Sequence, residues 1–113
     1  MKWIFFLLMV LPAIVLGQSE AEYVEQWCAG RGQVEYILED RTRVDCLTPE
    51  FAIEVDFAHK WAEAIGQSLY YGHMTGRKPG VLIIVGDGEH RFIRRFHNAT
   101  IGLDIQLFTI SKE

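Results

Sequence analysis

The chain has 113 residues, 11 Lys and Arg against 15 Asp and Glu for a formal net charge of −4, and is half apolar with 12% aromatic residues. These figures allow one folded domain and exclude a low-complexity disordered chain, a collagen-like repeat and a multidomain enzyme. The acidic balance also excludes coating of nucleic acid by overall charge, while leaving room for a local basic patch.

In chain order, Met1-Lys2 is a short basic start, 3–11 is an apolar run, and Val15-Leu16-Gly17 puts short residues ahead of a cut before Gln18. That is the pattern of a secretory signal peptide over 1–17, so the product is expected to be exported, periplasmic or extracellular. The apolar stretch ends by Leu16, short of the roughly 20 residues a bilayer-spanning helix needs. An uncleaved N-terminal anchor is the alternative, and no Cys follows the cut to support a lipoprotein. Residues 18–113 then form a single domain without repeats or linkers.

Ser19 followed by Glu22 has capping-box spacing before a helix over 21–29, and Gly30 and Gly32 stop it. Residues 33–39 alternate with Val34, Tyr36 and Leu38 on one face, Asp40-Arg41 turns, and 42–47 alternates Val44 and Cys46 against Arg43 and Asp45. After Thr48-Pro49-Glu50, strand 51–57 puts Phe51, Ile53, Val55 and Phe57 on one face and Ala52, Glu54 and Asp56 on the other. A helix over 60–74 places Lys60, Ala64, Gln67 and Tyr71 on one stripe and Trp61, Ile65 and Leu69 on an apolar one. A turn at 76–80, a doubly covered strand at 81–85, a short helix at 91–96 and a strand at 105–110 complete an α-β-β-β-α-β-α-β order. The fold class is α/β, a mixed central sheet flanked by helices.

Cys28 and Cys46 both survive processing. In an oxidising compartment the pair reads as one disulfide closing a loop of 18 residues, worth about 3 kcal/mol. A pair of buried free thiols is the bland alternative. Without a CxxC or clustered His they do not build a structural zinc site.

Asp45 and Glu54 lie on consecutive strands, each opposite its strand's apolar set. Two carboxylates side by side on a hairpin suit a hard cation such as Mg²⁺ or Mn²⁺, which in turn orients a phosphate and activates water. Solvated strand acids paired with Arg41 and Arg43 are the competing reading.

The runs Arg43-Val44-Asp45, Ala52-Ile53-Glu54-Val55-Asp56 and 60–71, the last containing Gln67-Ser68-Leu69-Tyr70-Tyr71, together resemble the core of the PD-(D/E)xK, or restriction-endonuclease-like, nuclease superfamily. The resemblance covers 22–85. It implies an αβββαβ core with Asp45 and Glu54 as metal ligands, the Val55 carbonyl completing the shell, and Gln67 with Tyr71 forming the Gln-x-x-x-Tyr helix of exonuclease-type members. Glu25 resembles the extra acid some members carry on the first helix, with Glu22 an equally open choice. Asp56 stands where the family has its catalytic Lys, and Lys60, on the Gln67 stripe, is the candidate for a displaced ammonium. The resemblance implies a metal-dependent phosphodiester hydrolase with Asp45, Glu54, Lys60 and Gln67 as catalytic residues. Its partner is nucleic acid, DNA ahead of RNA, and a homodimer is in keeping with the family. A noncatalytic exported binding module on the same scaffold is the alternative, and an envelope structural protein a third.

The remaining candidates are weaker. His59, His73, His90 and His97 are scattered without metal-ligand spacing, although His59 adjoins Lys60. Gly86-Asp87-Gly88 lacks the Lys-Ser/Thr of a phosphate loop. Asn98-Ala99-Thr100 is a glycosylation triplet only on a eukaryotic route. Arg91, Arg94 and Arg95 share a helix face that is either solvated or in contact with phosphates.

Overall fold

Ser19 opens the first helix as predicted. Its Oγ accepts the Glu22 N–H at 3.2 Å, and α1 (Glu20–Cys28) buries Tyr23, Val24 and Cys28 on one side. The structure, a computed structural model, describes residues 3–4 and 17–113, so the expected signal peptide lies mostly outside the described residues. After α1 the chain passes Gly32, where a Cβ would sit 2.2 Å from the Leu47 carbonyl oxygen, so only glycine fits that crossing.

Five strands follow: β1 (Gln33–Ile37), β2 (Arg43–Leu47), β3 (Phe51–Phe57), β4 (Lys78–Val85) and β5 (Gln106–Ser111). They lie in the order β1-β2-β3-β4-β5, with β1–β2 and β2–β3 antiparallel and β3–β4 and β4–β5 parallel. Each parallel step needs a crossover. A 3₁₀ turn (Ala58–Lys60) and α2 (Trp61–Thr75) make the first, and α3 (His90–Ala99) makes the second.

The helices form layers on both faces of the sheet. Tyr23, Val24 and Cys28 of α1 pack with Ile53, Val55, Leu82 and Ile84, whereas α2 and α3 cover Ala52, Val81 and Ile83 from the other side. Val81 to Ile84 are each fully buried, which is why this run reads as continuously apolar. No described helix is long and apolar enough to cross a membrane.

Cys28 and Cys46 form the expected disulfide, Cα–Cα 5.8 Å, tying the last residue of α1 to β2 beside Asp45.

Five local expectations are revised. Strand β4 begins at Lys78 rather than after a turn at 76–80. The Lys78 N–H bonds Glu50 O on the β3 side, so the next nitrogen, Pro79, faces the other edge, where β5 pairing starts only at Gly80. Strand β1 is exposed along its whole length and buries no face; Leu38, just beyond it, is the buried member of the expected set. Val44 and Cys46 enter different clusters instead of one. Glu35, set opposite Asp45 by the flanking pairs Val34–Cys46 and Tyr36–Val44, has φ 51° and breaks the regular alternation there. On α2 the buried stripe is Ala64, Ser68, Tyr71 and Gly72, while Leu69 is exposed. Small residues bring this helix close to the sheet, a form of burial that hydrophobicity does not register.

Candidate functional site

The pairing of β2 with β3 is short. Cys46 faces Ile53 and Leu47 faces Ala52, and beyond them the Val55 N–H donates to Asp45 Oδ2 at 2.8 Å. A carboxylate thus takes the donor that a longer ladder would have used. In an extended strand a residue's N–H and C=O leave on the same edge, so the Val55 carbonyl faces the same opening.

Glu54, one residue back on β3, is buried, and its carboxyl and that of Asp45 each shift the other's protonation. Burial, then the charges of Asp45 and Asp56, push the Glu54 carboxyl up to about 10, and burial also raises Asp45. Without a cation the pair does not carry two full negative charges at neutral pH.

Gln67 and Tyr71 from α2 close the site. With Asp45, Glu54 and the hairpin residues Glu35, Arg41, Thr42 and Arg43, they line a polar cleft of about 310 Å³. Tyr71 is buried, and its hydroxyl is raised by burial and then by the Glu54 and Asp45 charges. Tyr70 donates to the Asp40 carboxylate and pins α2 to the β1–β2 turn. Arg43 pairs with Glu35 at 3.8 Å on the exposed rim.

A second set of groups adjoins the first. Asp56 is pushed up to about 7 by burial and then by Glu20, whose own carboxyl is raised by burial and by Asp45. Lys60 is exposed, and its charge lowers both Glu20 and Asp56 without an ion pair to either. The charges that chiefly perturb Asp45 and Glu54 are instead each other, Glu20, Glu35, Arg43 and Asp56. The expected ammonium therefore stands on the Asp56 side of the site.

The structure brings together Asp45, Glu54, Val55, Gln67 and Tyr71, and sets Asp56 and Lys60 beside them. Glu25 is exposed on α1, and the α1 carboxyl whose protonation is coupled to these acids is Glu20. Glu20 was visible as an acid in a helix first turn, but the predicted start at residue 21 left it outside the helix. Glu35 was missed because nothing in its surroundings in sequence signals a positive φ.

An all-oxygen donor set at a carboxyl pair that burial holds protonated fits a hard divalent cation. Among the described residues no three or more His, Cys, Asp or Glu side chains form a ready cation group. A cation at Asp45 and Glu54 would complete its shell from the Val55 carbonyl and water. A larger cleft of about 520 Å³ lies on the α1 face between Trp27, Phe51 and Phe108, but it carries no comparable cluster of acids.

No family model, curated protein or solved structure matches the chain.

Proposed function

We propose that this chain is a small exported metal-dependent nuclease-like protein that hydrolyses phosphodiester bonds of nucleic acid. The observation that carries the reading is the convergence of Asp45 and Glu54 from adjacent strands into one polar cleft with Gln67 and Tyr71 of α2. The element order α1-β1-β2-β3-α2-β4 agrees with the αβββαβ core that the resemblance implies. The Cys28–Cys46 disulfide is in keeping with export.

In this reading Asp45, Glu54 and the Val55 carbonyl hold Mg²⁺ or Mn²⁺. The ion, when bound, supplies Lewis-acid stabilisation of a phosphate oxygen and lowers the pKa of water. Asp45 is oriented for this by the Val55 N–H, which donates to its Oδ2 at 2.8 Å. Gln67, exposed on the cleft wall, has an amide that can donate to a phosphate oxygen and accept from water. Tyr71, buried and lining the same cleft, keeps its proton. Lys60, beside Asp56, supplies positive charge at the edge where a substrate phosphate enters.

A second reading, a noncatalytic exported binding module, is favoured by the position of Lys60, which perturbs Asp56 and Glu20 rather than the Asp45–Glu54 pair. The test is cleavage of single- and double-stranded DNA and RNA by residues 18–113 with Mg²⁺ or Mn²⁺. The first reading expects cleavage abolished by EDTA and by Asp45→Ala or Glu54→Ala. Calorimetric Mg²⁺ binding without cleavage supports the second.

A further inference from the structure

The sharpest asymmetry of charge outside the acid cleft lies on α3. Its sequence, His90 to Ala99, holds three arginines and no acid in a chain of net charge −4. One side, with Phe92, Ile93 and Phe96, packs on the β4–β5 face of the core. Arg91, Arg94 and Arg95 stand exposed on the rest of the helix. Among the described residues the one ion pair is Arg43–Glu35, so no carboxylate neutralises these guanidinium groups. The acid closest in sequence, Glu89, is turned inward to accept the Gly86 N–H at 2.8 Å.

Two of the guanidinium groups are held outward by packing. Arg91 Cζ lies 4.3 Å from the Phe92 ring centroid and Arg95 Cζ 5.4 Å from the same centroid, and Arg91 also donates to Gly88 O at 2.5 Å. Such stacking reduces the rotamer freedom lost when a ligand arrives. Arg91 and Arg95 are separated by about 6 Å along the helix, close to two backbone steps of a strand, from one phosphate to the next but one, at about 3.4 Å rise each. Helix α3 lies on the same sheet face as α2 and touches the 3₁₀ turn, Ala58–Lys60, that follows the end of β3 and carries Lys60.

We infer that the Arg91–Arg94–Arg95 face of α3 is a docking surface for the sugar–phosphate backbone of the nucleic acid whose strand enters the Asp45–Glu54 cleft. The charge complementarity identifies the occupant as a polyanion with regularly spaced phosphates, and the inference rests on the nucleic-acid reading above. Because phosphate contacts are independent of base, the surface binds strands without sequence preference and sets the strand's path past Lys60.

The test separates docking from cutting by measuring binding in EDTA. Fluorescence anisotropy of a labelled oligothymidylate of about 20 nucleotides, titrated with residues 18–113 at several salt concentrations, gives the slope of log K on log salt. Replacing all three arginines with Gln is expected to flatten that slope by about 2, at about 0.7 per lost single-strand contact, and to weaken binding at least tenfold at low salt. Arg94→Gln alone, at a side chain without a hydrogen-bond or ion-pair partner among the described residues, is expected to flatten it by about 0.7 with an unchanged circular-dichroism melt, which guards against misfolding of the triple variant. An unchanged slope in both variants overturns the inference. So does α3-dependent capture by phosphatidylserine vesicles together with α3-independent binding of the oligonucleotide. A wild-type chain that binds with the steeper slope but never cuts in Mg²⁺ or Mn²⁺ leaves the docking surface standing and removes the nuclease reading. Cutting with no contribution from α3 does the reverse.

Discussion

Replacing Glu54 with Gln interrogates the acid pair through folding stability instead of activity. In the folded chain burial, Asp45 and Asp56 push this carboxyl up to about 10, whereas in the unfolded chain it titrates near 4.5. Between those values the folded state binds one proton more than the unfolded state. The associated stability is full below about pH 4.5 and is lost as pH rises toward 10. Each pH unit costs about 1.4 kcal/mol per extra proton, so the step from pH 5.5 to 7.5 removes about 3 kcal/mol. Glu54 is only 7% exposed, so solvent screening relieves little of this. Asp56, pushed up to about 7 chiefly by burial, acts in the same direction between about pH 4 and 7. The assay is urea unfolding in EDTA at pH 5.5, 6.5 and 7.5, followed by tryptophan fluorescence. The wild-type midpoint is expected to fall across the series, while Glu54→Gln, neutral at every pH, falls less and overtakes wild type at pH 7.5. A wild-type midpoint that is flat or rises, or a variant that falls as steeply, refutes the protonated pair.

Added Mg²⁺ at pH 7.5 should raise the wild-type midpoint, because it binds the folded state alone, and should have no such effect on Asp45→Asn, read by the same urea curves. Removing the disulfide with Cys28→Ala and Cys46→Ala together should cost about 3 kcal/mol, and reduction of the wild-type protein should reproduce that loss in a chemical unfolding curve. Gly32→Ala forces a Cβ against the Leu47 carbonyl and should destabilise by about 2 kcal/mol or more in thermal unfolding. Gln67→Ala, at an exposed position, should leave stability within about 0.5 kcal/mol of wild type while lowering the cleavage rate about tenfold or more. Comparing its melt with its steady-state kinetics separates the two effects.

Element identity was largely legible in the residues, because each element's burial follows a simple local period. The Ser19 cap, the apolar set Phe51, Ile53, Val55 and Phe57, and the doubly buried run from Val81 to Ile84 are all local signals, and each has its expected place in the folded chain. Pro79-Gly80 has the composition of a turn, yet β4 runs through it from Lys78, because β5 pairing begins only at Gly80 and leaves the Pro79 edge without a partner. Helical period alone places Leu69 in the core, whereas the stripe that packs runs through Ser68 and Gly72, because close approach depends on small side chains rather than apolar ones.

For the candidate site the division is similar. Alternation in each strand already set Glu54 and Asp56 apart from β3's apolar face, and helical period already joined Gln67 to Tyr71. What residue order could not decide was the meeting of separate elements: the short β2–β3 ladder that turns Asp45 onto the Val55 amide, and the start of α1 that brings Glu20 rather than Glu25 to the acids. It likewise could not decide that Lys60 would stand with Asp56. Local periodicity is written into neighbouring residues, because each side chain's direction follows from the backbone geometry of its own element. The convergence of charges depends on register, on splaying of strands and on a disulfide between distant positions, and those are properties of the packed chain.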